Sequence, residues 1–234
     1  MDGLRSNWLR NKGSNPSAEV MRGLVRRLRL LAKRIPLRSH LILALVLAGC
    51  ATTEAPEPSA RIEIQEDVGF TITEQAKISN DVRTDYNRAL ALLAEERYDD
   101  GIVLLESIVA AAPHLSAPRI DLGIAHHHAG NLDAAEKILA QATALYPDHP
   151  VAQNELGIVY RETGRFAEAR RHYEAALAVY PGYHYARRNL AILCDLYLAD
   201  LDCALRNYEA YMTTVDEDAE AVVWIADIRQ RLGQ

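Results

Sequence analysis

The sequence predicts an all-α protein built from consecutive helical hairpins. Two observations indicate this class: prolines recur at a fixed interval, and the composition favours helices that pack through small side chains. Pro113, Pro147 and Pro181 are each 34 residues apart. The 234-residue chain has only 2 Trp and 2 Phe, whereas Ala and Leu are abundant. A fixed period of this length is typical of helix–turn–helix units that bury their apolar faces against one another.

Each recurring residue has a physical role within the unit. Small residues recur where two helices must approach closely, glycine recurs at the turn, and proline ends the second helix because it cannot donate the next backbone hydrogen bond. The recurring pairs are Leu122-Gly123 with Leu156-Gly157, Gly130 with Gly164, Ala135 with Ala169, and Ala142 with Ala176.

With this period and these residues, the chain resembles the tetratricopeptide repeat (TPR) family. The resemblance implies a right-handed superhelix, or α-solenoid, of TPR hairpins. We place four units at 82–115, 116–149, 150–183 and 184–218, the last with a one-residue insertion near Leu198–Asp200. Residues 219–234 are predicted to form a C-terminal capping helix, with Val222, Val223, Ile225, Ala226 and Ile228 on its apolar side. Such a cap protects the last unit from aggregation.

The first 49 residues differ in charge from the rest of the chain. They carry ten basic and two acidic side chains, although the whole chain has a net charge of −6, so residues 50–234 carry −14. The basic stretch is followed by the short apolar segment Leu41–Ala48. A membrane-spanning helix needs about 20 apolar residues. A basic region before a shorter apolar segment is instead typical of a secretory signal peptide.

The end of this segment, Leu47-Ala48-Gly49-Cys50, resembles the lipobox of bacterial lipoproteins. The resemblance implies that residues 1–49 are removed and that the Cys50 thiol is acylated, which anchors the chain in a membrane. In such lipoproteins an Asp directly after the acylated cysteine retains the protein in the inner membrane. This chain has Ala51 at that position, which implies an outer-membrane lipoprotein facing the periplasm. The alternative is a buried apolar helix that happens to end in Cys, and translation starts at either Met1 or Met21.

Residues 50–81 are predicted to hold the lipidated cysteine, a tether and an N-terminal extension. Within them, residues 61–73 alternate apolar and polar side chains. This alternation fits either an extended strip laid on the first helix or a continuation of the linker.

The family resemblance implies a concave groove, lined by the first helix of each unit, that binds an extended peptide or a helix. Asparagine side chains there can bond to a peptide backbone. The arginines do not align as they do in the two-carboxylate clamp of chaperone-binding members. The alternative is that these residues form only a solvated face. The predicted groove residues are Tyr86, Asn87, Asp121, His127, Asn154, Glu155, Arg161, Tyr185, Arg188 and Asn189.

Two other groups of residues are of types that can carry chemistry. Cys194 and Cys203 are predicted either to form a disulfide, which an oxidising periplasm permits, or to pack as two buried thiols. Adjacent helical residues point about 100° apart, so His126, His127 and His128 cannot converge on one metal ion. The sequence therefore predicts no catalytic residue, metal site, cofactor or small-molecule substrate. The acidic mature chain also argues against nucleic-acid binding.

Together these features predict a lipid-anchored periplasmic TPR scaffold that binds a protein partner, in an assembly such as pilus, secretion or outer-membrane machinery. Three alternatives stay open. They are a scaffold or regulator of cell-wall enzymes, a TonB-linked transport component, and a soluble cytoplasmic TPR protein in which Leu-Ala-Gly-Cys occurs by chance.

Overall fold

A computed structural model describes residues 5–6, 60–65, 69–74, 78–215 and 217–234. Cys50 and almost all of the predicted signal peptide and tether lie outside these residues. The described helices are α1 Asn80–Ala94, α2 Tyr98–Ala111, α3 Ala117–His128, α4 Leu132–Leu145, α5 Pro150–Glu162, α6 Phe166–Val179, α7 His184–Leu196, α8 Leu201–Met212 and α9 Ala219–Arg231. Helices α1 to α8 pair as four consecutive hairpins, one in each predicted unit, and this confirms the predicted all-α solenoid class.

Close helix contact within each hairpin depends on the recurring small residues. A Cβ atom on Gly157 would lie 2.6 Å from Cε1 of Tyr173, a distance that real Cβ atoms essentially never show. A Cβ on Gly123 would lie 2.5 Å from Cγ of Leu139 on the equivalent helix pair. Glycine is therefore required at this position because the second helix places a large buried side chain against its backbone.

Each hairpin turn contains one residue in the left-handed conformation. These residues are Glu96 (φ 59°), Gly130 (79°), Gly164 (76°) and Ala199 (51°), spaced by 34, 34 and 35 residues. The longer last step falls where the sequence predicts an inserted residue. The connection between α7 and α8 spans residues 197–200, one residue more than the connection 163–165 between α5 and α6.

A recurring polar contact that the sequence pattern did not predict joins successive units. The fourth residue of units two, three and four bonds to the carbonyl of the proline that lies six positions earlier. Arg119 Nη2 donates to Pro113 at 2.8 Å, Gln153 Nε2 donates to Pro147 at 2.7 Å, and Arg187 Nε donates to Pro181 at 3.0 Å. These bonds satisfy carbonyls that the broken helix leaves without a partner.

Residues before the helices form a small antiparallel sheet, so the chain is not purely helical. The strands are β1 Arg5–Ser6, β2 Ala60–Gln65 and β3 Gly69–Glu74, in the order β1-β3-β2, and Ile62 pairs with Ile72. The alternating segment is therefore a β-hairpin rather than a linker. Strand β1 belongs to the segment that the sequence predicts to be removed.

Helix α9 packs against unit four through a narrower face than the sequence suggested. Ala221 and Ile228 are fully buried, and the Trp224 ring lies 5.4 Å from that of Tyr208. Val222 and Val223 are exposed by 56% and 65%, because the buried positions follow an i, i+3, i+7 spacing that leaves them on the outer side. None of the helices that the structure describes is long and apolar enough to cross a membrane.

Candidate partner-binding groove

Side-chain hydrogen bonds join the first helices of neighbouring units across the predicted groove. In each bond the partners are 35 residues apart, which places the second residue one position further along the next unit. The Tyr86 hydroxyl donates to Asp121 Oδ2, Asn189 Nδ2 donates to Asn154 Oδ1 at 2.9 Å, and His127 Nε2 lies 2.9 Å from Glu162 Oε2. We call these three bonds the cross-unit ladder. They fix the relative positions of the helices that line the groove.

Asn154 lies at the centre of the ladder and is only 1% exposed. Its Nδ2 donates to Oε1 of Glu155 at 2.9 Å, while its Oδ1 accepts from Asn189. Both polar atoms of the Asn154 amide therefore have partners within the protein. Its role in the structure is to hold α5 against α7.

Two half-buried carboxylates in neighbouring units have unusual electrostatics. Burial raises the pKa of Asp121 to about 6, although the hydrogen bond from Tyr86 acts in the opposite direction. Burial also raises the pKa of Glu155, the nearby charge of Asp121 raises it further, and His127 and Asn154 lower it. Among the residues that the structure describes, no Lys or Arg forms an ion pair with either carboxylate.

The environment of Tyr86 matches that of its partner. Burial raises the pKa of its hydroxyl well above the usual range, and the negative charge of Asp121 adds to the effect. The hydroxyl therefore stays protonated and donates to the carboxylate at any physiological pH. This contact is fixed rather than titratable from the tyrosine side.

Arg161 and His127 converge on Glu162, a residue of unit three that the repeat pattern also places on the groove side. Arg161 Nη2 lies 3.5 Å from Glu162 Oε1, and the other carboxylate oxygen contacts His127. Arg161 Nε is buried and has no hydrogen-bond partner. The 35-residue step from His127 to Glu162 repeats the step from Tyr86 to Asp121.

The remaining predicted groove residues differ in their exposure and in their side-chain contacts within the protein. Asn87 is exposed and makes no side-chain hydrogen bond to a described residue. Tyr185 is 49% exposed, and its ring lies 5.8 Å from that of Tyr183 and 4.1 Å from that of His184. Arg188 lies 5.2 Å over the Trp224 ring, and its guanidinium is within 4.0 Å of Asp218 and 3.8 Å of Glu220. Asn87 and Tyr185 are thus the predicted residues best placed to contact a partner.

Cys194 and Cys203 are bonded in the structure, with an S–S distance of 2.06 Å. The disulfide links α7 to α8 within unit four, and both residues are buried. Asp200 lies within 4.8 Å of the two sulfur atoms. Its Oδ1 accepts from the backbone N–H of Cys203 at 3.0 Å and its Oδ2 pairs with Arg170 at 3.2 Å, so this carboxylate caps α8.

Two surface cavities in the described part of the chain lie at the first hairpin, away from Asp121 and Glu155. A cavity of about 390 Å³ is lined by Arg97, Asp99, Asp100 and neighbouring residues at the turn between α1 and α2. A second of about 340 Å³ borders it on α2. Neither is lined by Asp121 or Glu155.

With the hairpins and ladder in place, comparison with known proteins decides the repeat type. Residues 92–155 and 150–183 match sequence profiles of the tetratricopeptide repeat. The chain contains tetratricopeptide repeats. Proteins with this fold are generally protein-interaction scaffolds rather than enzymes. No curated protein matches the sequence.

Several solved structures share the TPR fold. MamA residues 41 to the end, from Desulfovibrio magneticus RS-1, match with a TM-score of 0.59 and 16% identity over 67% of this chain and 88% of that chain. TTC0263, a thermophilic TPR protein in Thermus thermophilus, matches with a TM-score of 0.55 and 22% identity over 64% of this chain and 81% of that chain. A chain of the APC/C hetero-tetramer Cut9–Hcn1 matches with a TM-score of 0.58 and 21% identity over 64% of this chain and 30% of that chain. At these identities the similarity concerns the fold alone.

Proposed function

We propose that this protein is a lipid-anchored periplasmic scaffold that binds a protein partner in the groove formed by the first helices of its TPR units. The observation that carries the proposal is the cross-unit ladder. It holds the groove-lining helices in fixed positions while Asn87 and Tyr185 stay exposed beside it. A preformed surface loses little conformational entropy on binding, which favours recognition of an extended segment or a helix.

The anchor rests on the sequence alone. Cys50 follows a basic region and a short apolar segment, and an acylated N-terminal cysteine would keep the repeats at the periplasmic face of the outer membrane. Two acyl chains give a stable anchor because each buried CH₂ contributes about 0.8 kcal/mol. The partner would then belong to an envelope assembly.

Partner capture tests the groove. The mature protein, purified from crosslinked envelopes, is compared with the variant Asn87→Ala/Tyr185→Ala. A matched control, Val103→Ala/Glu106→Ala, removes one large and one polar exposed side chain from α2, outside the groove. We expect the groove variant to recover at least tenfold less partner, whereas the control recovers the wild-type amount. Equal recovery by all three proteins would contradict the proposal.

The anchor has its own test. Cells grown with an alkyne fatty acid should label the wild-type protein, and the label should be lost in Cys50→Ser. A labelled Cys50→Ser protein, or an unlabelled wild type, would rule out lipidation at this position. This outcome bears only on the anchor and leaves the groove assignment to be judged by partner capture.

A further inference from the structure

An aliphatic side chain recurs at one position on the first helix of every TPR unit. The four residues are 34 residues apart, so they occupy the same place on α1, α3, α5 and α7. The first of them is 38% exposed, and the other three are half-buried. The cross-unit ladder joins each of these helices to the next, so the side chains follow the groove from unit to unit. We call this set the aliphatic row; it comprises Leu90, Ile124, Ile158 and Ile192.

Two carboxylates lie beside the middle of the aliphatic row. Asp121 precedes Ile124 by three residues, so the two share one face of α3. Glu155 stands in the same relation to Ile158 on α5. From the described part of the chain, each carboxylate accepts one side-chain hydrogen bond, through Oδ2 of Asp121 and Oε1 of Glu155. The second oxygen of each is therefore left to accept a donor from another molecule.

The described residues supply no cation to these two carboxylates. Arg161 and Arg188, the two arginines among the predicted groove residues, already lie within 4.0 Å of other carboxylates. Asp121 and Glu155 have no such partner, and burial raises the pKa of both. A partly buried charge without a counter-charge destabilises the fold. A cation brought by a partner would offset this effect, so the groove is electrostatically complementary to a basic surface.

The groove offers little to the backbone of an extended peptide. At its centre both polar atoms of the Asn154 amide are bonded within the protein, and the amide group of Asn189 donates to it. An extended segment laid on the aliphatic row would bury backbone N–H and C=O groups without partners, which is costly. An α-helix bonds its own backbone internally and can present a continuous apolar stripe.

The length of the row also suits a helix. Packed helix axes lie 8–10 Å apart, so four neighbouring first helices span about 24–30 Å. At a rise of 1.5 Å per residue, a helix of about 16–20 residues has this length.

We propose that the occupant of the groove is an amphipathic helix of the partner, whose apolar face packs on the aliphatic row and whose Lys or Arg side chains pair with Asp121 and Glu155. The proposal rests on the scaffold function proposed above and specifies the chemistry of the partner. Large apolar side chains every three to four residues fit the row, and basic side chains are needed on one flank of that stripe. An acidic flank would place like charges against both carboxylates, which is unfavourable.

Binding of designed peptides to the full chain tests this chemistry. The basic probe is a fluorescent helical peptide of about 18 residues that contains Ala, Leu and Lys, with the lysines on one flank of the leucine stripe. A neutral probe has Gln in place of each Lys. A scrambled probe keeps the basic composition but disperses the leucines around the helix. Fluorescence anisotropy should show that the basic probe binds at least tenfold more tightly than either of the others.

An isosteric variant tests the two carboxylates. Asp121→Asn/Glu155→Gln removes both charges and keeps a carbonyl acceptor at each position. It should bind the basic probe at least tenfold more weakly than the wild type does, with unchanged affinity for the neutral probe. The matched control Glu106→Gln/Asp133→Asn removes the same charge from exposed residues of α2 and α4, outside the groove. This control should bind all three probes as the wild type does.

A second variant tests the aliphatic row. Ile124→Ala/Ile158→Ala should weaken binding of the basic and the neutral probe alike, by about tenfold. Circular dichroism checks that the variant keeps its helices. If it unfolds, the isosteric carboxylate variant and the three probes still decide the question.

Three results would overturn the proposal. Equal affinities of the basic and neutral probes for the wild type would show that the carboxylates do not select a cation. An equal loss of binding in the carboxylate variant and in its control would assign the attraction to net charge alone. A scrambled probe that binds as tightly as the basic probe would show that no helical face is recognised.

Partner capture from crosslinked envelopes separates this proposal from the scaffold function. Asp121→Asn/Glu155→Gln should recover at least tenfold less partner than the wild type. Unchanged recovery by this variant, together with reduced recovery by Asn87→Ala/Tyr185→Ala, would overturn the basic helix and leave the groove as the partner site. Unchanged recovery by both variants would overturn the scaffold function as well.

Discussion

The destabilising effect of the buried Asp121 charge can be measured from the free energy of unfolding at two pH values. The pKa of Asp121 rises from 3.8 to about 6 on folding because burial penalises the charged form. Between these values the folded state keeps a proton that the unfolded state has released. The free energy of unfolding therefore falls as the pH rises from about 4 to about 6. We expect Asp121→Asn to remove this loss, since an amide carbonyl still accepts from the Tyr86 hydroxyl.

The magnitude follows from the shift. One pKa unit corresponds to about 1.4 kcal/mol, so the full shift is worth about 3 kcal/mol above pH 7. Solvent screening at this half-buried side chain lowers the expected gain to between about 1 and 3 kcal/mol. At pH 4.5 the gain should be about a third of its value at pH 7.5, because the folded carboxyl is then protonated and the unfolded one only partly ionised.

Urea unfolding of the wild type and Asp121→Asn at pH 4.5 and 7.5 measures this difference. Asp133→Asn removes the same charge from an exposed residue of α4 and is the matched control, which should not reproduce the gain at pH 7.5. An Asp121→Asn variant that is less stable than the wild type at pH 7.5, or that gains equally at both pH values, would show that burying the charged Asp121 carboxylate does not destabilise the fold.

Three further predictions concern the hairpins. Gly157→Ala should lower the free energy of unfolding in urea by about 1 to 3 kcal/mol, because its Cβ would overlap the Tyr173 ring; unchanged stability would mean that the ring moves aside freely. Cys194→Ser/Cys203→Ser should lower the free energy of unfolding by about 3 kcal/mol, the value that the chain-entropy relation gives for so short a loop. Dithiothreitol should lower the melting temperature of the wild type and leave that of the variant unaltered. Ala199→Gly should raise the melting temperature, because it relieves a left-handed conformation that costs alanine about 1 kcal/mol; a lower value would contradict this.

The sequence predicted those parts of the fold that depend on local steric requirements. Gly157 recurs because a large side chain crosses its backbone, and Pro181 recurs because a helix must end there. Such needs repeat in every unit and therefore leave a period. The inserted residue near Ala199 was found in the same way, since it shifts a left-handed turn by one position.

The parts that the sequence did not predict depend on contacts between distant segments. Glu74 reaches Ser116 across 42 residues, and nothing in either local sequence indicates this contact. The cross-unit ladder could be predicted from the sequence only in part. Its 35-residue step is visible once the helices are stacked, but Tyr86 with Asp121 and His127 with Glu162 are chemically unlike pairs, so no residue type recurs to mark them.

Site-specific photocrosslinking in cells tests the scaffold function most directly. A benzophenone side chain is placed at Tyr185, in the groove, or at Val103, a more exposed control position on α2. Irradiation should join the protein to one discrete partner from position 185, whereas position 103 should yield no such product. No adduct from position 185, or the same adduct from both positions, would contradict a partner bound in the groove.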